Sequence, residues 1–169
     1  MKFSTFLMFI GLWHILVYCP IAHANWHPAG LLVKLGAVDF AGGNVVHIAS
    51  GTSALVASLM VGKGFGKNDR RPSNIIITVI GGCLLWGGWF GFNAGSALAS
   101  DGRACQVMLN TQLGAACGGL AWMLVEKWFS KRRTMVGFMC GIISGLVGVT
   151  PAAGYVNITG DWGRACQVM

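Results

Sequence analysis

Charge is scarce in this sequence: 10% of the 169 residues are Asp, Glu, Lys or Arg, against about a quarter in an ordinary soluble domain. With 54% apolar residues and a mean hydropathy of +0.64, a water-soluble globular domain is excluded. Carboxylates are scarcest of all, five in the whole chain. No acid–base pair and no nucleophile–base pair stands in reach by sequence, which argues against an enzyme. The strict alternation of a membrane barrel is absent too, so helices are the expected form in lipid, where the backbone must satisfy itself. Nor is there a disulfide framework. Cys19, Cys83, Cys117 and Cys140 lie in apolar segments and read as small packing residues, whereas Cys105 and Cys166 lie near a segment end where oxidation is conceivable. His14, Cys19, His23 and His27 match no common zinc spacing, and no metal or cofactor is expected.

What is present are five apolar segments, roughly 3–22, 43–62, 74–98, 104–125 and 134–156. Each is near the ~20 residues that a spanning helix needs. The expected fold is an all-α membrane protein, a multi-pass bundle of about five transmembrane helices. The basic residues sort by side. Lys63, Lys67, Arg70 and Arg71 fill one connection, Lys127, Lys131, Arg132 and Arg133 another, and Lys2 joins them if the segments alternate. Lys34, Arg103 and Arg164 face Asp39, Asp101 and Asp161 on the other side. This positive-inside pattern puts the N-terminus in the cytoplasm and the C-terminus outside, with the basic loops against anionic lipid. The net charge of +7 comes with no groove-reading motif, so no nucleic-acid partner is expected. Met1-Lys2, an apolar run and Ala22-His23-Ala24 imitate a cleavable secretory signal, but four further apolar segments oppose a secreted product.

The chain is organised around residues 39–62. Asp39 opens a run with no further charge until Lys63. At helical spacing Asn44, His47, Gly51, Ala54 and Ser58 share a face, with branched apolar residues mostly elsewhere. An imidazole in such a segment is either a structural group bonded to backbone or the mark of a pathway. Trp26 sits in a short connection, as an interfacial anchor or as a platform for a cation. Trp86, Trp89, Phe90 and Phe92 crowd the third segment. Gly87, Gly91 and Gly95 recur every four residues there, Gly114/Gly118 and Gly137/Gly141/Gly145 in the next two, predicting that the last three helices pack tightly. Phe92 and Ser96 share a face, as a ring beneath a hydroxyl or as ordinary packing with Ser96 bonded to its own backbone.

Four blocks in order carry a resemblance: Asp39-Phe-Ala-Gly-Gly-x-Val-Val-His47-Ile, Gly88-Trp-Phe-Gly-Phe92-Asn-Ala-Gly-Ser96, Asn110-Thr111 and Thr150-Pro-Ala-Ala-Gly-Tyr155. From about Tyr18 to Tyr155 the chain resembles the ammonium transporter family (Amt, Mep and Rh proteins). The resemblance implies an eleven-helix fold of two inverted repeats, assembled as a trimer with one pore per subunit. This chain corresponds to helices four to eight, without counterparts of the second pore histidine or the outer gate phenylalanine. It further implies ammonium recruitment by Trp26 and Ser96, a gate including Phe92, and a conduit lined by His47 where proton and ammonia separate. Asp39 would hold the vestibule together rather than touch substrate, suiting a helix N-terminus. Ammonium or ammonia is then the substrate, and the plasma membrane the location.

One feature departs from the family. Gly102-Arg-Ala-Cys-Gln-Val-Met108 recurs letter for letter as Gly163–Met169. Residues 1–156 are therefore read as a partial transporter domain and 157–169 as a non-family tail, the mark of a truncated or misassembled reading frame. Asn157-Ile-Thr159 forms a glycosylation sequon. Two functional readings stand: a piece of an ammonium transporter, or a non-transporting membrane protein that associates with intact subunits.

Overall fold

The structure, a computed structural model, describes residues 2–62 and 74–157. The basic connection at Lys63–Arg71 and the repeated tail lie outside the described residues, as does Thr159 of the sequon. Helix α1 (residues 3–26) runs as Phe3–Trp13, a π-helical stretch His14–Tyr18 and Cys19–Trp26. A single turn, α2 (Leu31–Lys34), follows. Helix α3 (Gly43–Val61) starts with a π-helical stretch, Gly43–Ile48. Then come α4 (Ile75–Gly95), α5 (Gly102–Ser130) and α6 (Met135–Val149).

By length and composition, Phe3–Lys34, Gly43–Val61 and Ile75–Gly95 are suited to cross a membrane. The other two segments differ from expectation. At 29 residues, α5 is about 43 Å long and carries Gln106, Asn110 and Thr111, polar groups used against α4 and the turns after α6. Helix α6 stops at Val149, after 15 residues, because Pro151 cannot donate to a continuing helix. The chain turns on through Tyr155 instead. Each of the last three helices begins with a side-chain cap. Asn74 accepts from the Ile77 N–H, Asp101 from Ala104 and Thr134 from Gly137, each satisfying one of the donors that a first turn leaves open.

Helices α4, α5 and α6 form the core, where Ala115, Met139, Ile142 and Leu146 are buried with Val79, Trp86, Trp89 and Phe138 against them. The glycine prediction holds for one pair and fails for the third helix. A Cβ on Gly145 would strike the Gly114 carbonyl, and one on Gly118 the Gly141 carbonyl, so α5 and α6 approach backbone to backbone. Among the described residues, a Cβ on Gly87, Gly91 or Gly95 of α4 would meet nothing within 4 Å. Helix α4 docks by the stripe Val79, Gly82, Trp86, Trp89 and Asn93, one residue out of phase with that glycine ridge, which turns it about 100° away. The cysteine reading is likewise corrected: Cys19, Cys83, Cys117 and Cys140, expected as packing residues, are exposed; Cys105 is exposed as well, and Cys166 lies outside the described residues.

Helices α1 and α3 pair beside this core, through a hydrogen bond from Trp13 Nε1 to Ser53 Oγ (2.7 Å).

Candidate functional site

The site starts from Asp39. Its Oδ1 accepts from the backbone N–H groups of Gly42 (2.8 Å) and Gly43 (2.6 Å), and Oδ2 from those of Asn44 (3.0 Å) and Val45 (3.1 Å). One carboxylate thus serves four donors at the start of α3, where the partial positive charge of the helix also favours it. Two glycines make the fold-back feasible. Gly42 has φ +96°, a region L side chains avoid, and Gly43 lies so close on the Pro151 ring that a Cβ would not fit.

The loop that presents Asp39 is held from two sides. Phe40 N–H donates to the Pro151 carbonyl (2.9 Å). The Arg103 guanidinium lies 4.9 Å from the Phe40 ring centre and 5.3 Å from that of Tyr155, and its Nε donates to the Gly154 carbonyl (3.2 Å). Such bracketing between two aromatic faces adds about 0.5–1 kcal/mol at exposed positions. Buried Asn110 fixes the same turn from below, donating to the carbonyls of Ala153 (2.9 Å) and Val156 (2.8 Å).

From this anchored start the chain winds in a π-helical turn, with His47 N–H donating five residues back to Gly42 (3.3 Å). The wider turn redirects the polar face expected from a regular helix. Asn44 Nδ2 donates to Asn25 Oδ1 of α1 (3.4 Å), while His47 is turned towards α4. Its imidazole stacks on Trp89 at 5.2 Å between ring centres and 25° between planes. Phe92 closes the group, 5.9 Å from His47 and edge-on to Trp89 at 5.6 Å. Ring pairs at such distances attract through their quadrupoles.

His47 Nε2 is buried and meets no hydrogen-bond partner among the described residues. Burying a polar nitrogen unpaired is costly, and among the described residues no backbone carbonyl takes this one up. Its side chain lines two hollows. One, about 660 Å³, is walled by Val46, Leu84, Leu85, Gly88, Trp89 and Phe92. The other, about 260 Å³, lies among Gly43, Asn44, Ile48, Val147 and Pro151. An apolar hollow with one ring nitrogen in its wall suits a small species that exchanges a proton, and disfavours a hydrated ion.

His47 and Phe92 are therefore brought together, and Asp39 supports the helix that presents His47. Trp26 ends α1, half exposed, with its ring beside Gly42. The Ser96 hydroxyl donates to the Phe92 carbonyl (2.9 Å), which leaves its lone pairs free to accept. No hydrogen bond or ring contact among the described residues joins Trp26 to Ser96.

Trp89 was not singled out by sequence reasoning, although it touches His47 directly. Its signal was its place three residues before Phe92, on the same helix face.

The family model for the Ammonium Transporter Family matches residues 1–161. The chain belongs to that family. The ammonium transporter of Bacillus subtilis is 51% identical over 157 residues, covering 93% of this chain and 39% of its own length. Amt1 of Archaeoglobus fulgidus is 45% identical, covering 94% of this chain and 41% of its own length. Among solved structures, Mep2 of Candida albicans superposes with a TM-score of 0.84 at 45% identity, covering 92% of this chain and 36% of that one. This transporter-family chain thus spans about two-fifths of the length of the curated relatives it matches. Family and apolar helices together make it an integral membrane protein.

Proposed function

We propose that this chain forms part of the conduction path of an ammonium transporter, with His47 as the proton-handling group of the conduit. The observation that carries this reading is the buried Nε2 of His47, unpartnered among the described residues, on an imidazole set against the Trp89 and Phe92 rings and lining two hollows. In this reading Trp26 and Ser96 recruit ammonium, the first by its ring face and the second as a hydrogen-bond acceptor. Phe92 excludes water and larger cations. Ammonium passes its proton to the His47 imidazole on entering the apolar stretch, since an ion pays heavily there and ammonia does not. Asp39 acts as a brace: its four backbone bonds use both oxygens, so it shapes the path without touching substrate.

The working unit is a homotrimer in the plasma membrane, with the N-terminus of this chain in the cytoplasm and the Asp39 end outside. The charge asymmetry across Lys127–Arg133 supports that orientation.

The test places residues 2–157 in the Bacillus subtilis transporter, in exchange for the matching segment, and measures ammonium uptake in a transport-deficient host. Uptake is expected from the chimera, with His47→Ala and Phe92→Ala each abolishing it or opening it to other cations at unchanged membrane abundance. Uptake and selectivity unaffected by both changes would refute the assigned roles.

A further inference from the structure

Trp89 Nε1 donates to the Thr150 hydroxyl across 3.0 Å. Thr150 is fully buried, and its own proton goes to the Leu146 carbonyl of α6 at 2.7 Å. Asn93 Oδ1 of α4 lies a longer 3.4 Å from the same hydroxyl, so the shorter bond takes the proton and a lone pair is presented to the Trp89 indole.

One turn along α4 the device is repeated. Asn93 Nδ2 donates to Thr111 Oγ1 (3.0 Å), and Thr111 gives its proton to the Val107 carbonyl of α5 (2.7 Å). Asn93, Thr111 and Thr150 are all 0% exposed. Each threonine spends its proton on its own helix and offers its oxygen to α4. The two braces differ in what they hold. Asn93 points into the core, whereas Trp89 presents its face to His47 and its edge to Phe92.

We propose that Thr150 is a positioning residue for conduction: through Trp89 it sets the wall against which the His47 ring stands. An indole tethered at Nε1 loses rotation about its last side-chain bond, so the tilt of 25° against the imidazole is fixed from the C-terminal end of α6. Thr111 touches no ring of the conduit and reaches Thr150 only through Asn93, whose Oδ1 lies 3.4 Å from the Thr150 hydroxyl, so its part is secondary. The inference rests on the reading of His47 given above. It assigns a task to the first residue of the Thr150-Pro-Ala-Ala-Gly-Tyr155 block.

Thr150→Val preserves shape and removes the acceptor, while Thr150→Ser keeps it. In the full 169-residue chain, the indole proton of Trp89, assigned by Trp89→Phe, is followed by nitrogen-15 NMR. The expected result is an upfield shift and faster exchange in Thr150→Val, with Thr150→Ser close to wild type. An unmoved resonance in Thr150→Val overturns the proposal.

In the chimera, Thr150→Val should lower the maximal uptake rate per folded transporter about tenfold, with apparent KM within about twofold. Thr150→Ser should restore the rate. Thr111→Val should reduce the amount of folded transporter but leave the rate per molecule unchanged. Equal per-molecule rates for Thr150→Val and wild type, with His47→Ala still inactive, overturn the positioning role alone. If His47→Ala also transports normally, the reading beneath it falls as well.

Discussion

Two interfaces in this chain are built on opposite plans. Between α5 and α6 the contact is glycine on glycine, with Gly114, Gly118, Gly141 and Gly145 bringing the two backbones together. Between α3 and α4 the described contact is ring on ring, with His47 held 5.2 to 5.9 Å from the centres of Trp89 and Phe92 and a hollow of about 660 Å³ beside them. In lipid there is little hydrophobic force between helices, so close van der Waals contact and buried hydrogen bonds must hold a bundle together. The first interface is made of that contact. The second gives some of it up to keep a passage open. Rigidity is concentrated between α5 and α6, and the candidate hollows open where α3 meets α4 and the end of α6, with Trp89 and Thr150 as the link.

The comparison breaks most severely at Gly145. Gly145→Val would drive a branched side chain into the Gly114 carbonyl, and neither backbone can yield without parting the helices. A loss of about 3 kcal/mol is expected, the upper end of overpacking. It is read as a fall in thermal midpoint and folded yield in detergent. Asp39→Ala comes next. It strips the four N–H groups at the head of α3 of their acceptor, and a loss of about 2 kcal/mol is expected from cap and dipole together. Hydrogen exchange should show it locally, at residues 42–45, while the α5–α6 amides stay protected. Asn110→Leu leaves the Ala153 carbonyl without its donor and Val156 with only that of Gln106 Nε2. That costs about 1–2 kcal/mol, seen by the same measurements and confined to the turns after α6. If Asp39→Ala unfolded the whole chain as Gly145→Val does, the separation of scaffold from site would be wrong.

Much of this was legible in the residues. The apolar segments predicted helices, the spacing of Gly114/Gly118 against Gly141/Gly145 predicted the close pair, and Asp39 before an uncharged run predicted a helix start. Three things were not legible. The π-helical turn at Gly43–Ile48 depends on Asp39 folding back over glycines, and it lets Asn44 and His47 border one hollow while their side chains engage different helices, α1 and α4. Trp89 looked like one of several packing aromatics, because nothing in sequence shows that its Nε1 meets a threonine 61 residues later. The exposed cysteines and the unpacked Gly87/Gly91/Gly95 ridge depend on which face of a helix its neighbours cover, and an all-round apolar helix carries no such mark.

The smallest expected effect is the most discriminating. Gly91 belongs to a glycine ridge by spacing, exactly as Gly145 does, and sequence alone gives both the same weight. In the structure a Cβ on Gly91 meets nothing within 4 Å. Gly91→Ala should then fall within about ±0.5 kcal/mol of wild type in this chain, with alanine's helix propensity tending to stabilise by a fraction of its usual advantage over glycine. The paired change Gly145→Ala should destabilise, since even a single methyl meets the Gly114 carbonyl. Comparable losses at both positions would mean that the ridge on α4 is packed after all, against a second copy in the detergent sample, and crosslinking through the neighbouring exposed Cys83 thiol would then locate the contact. Opposite signs would establish that one spacing serves two purposes here: on α5 and α6 it closes an interface, and on α4 it leaves a smooth surface beside the rings that line the hollow.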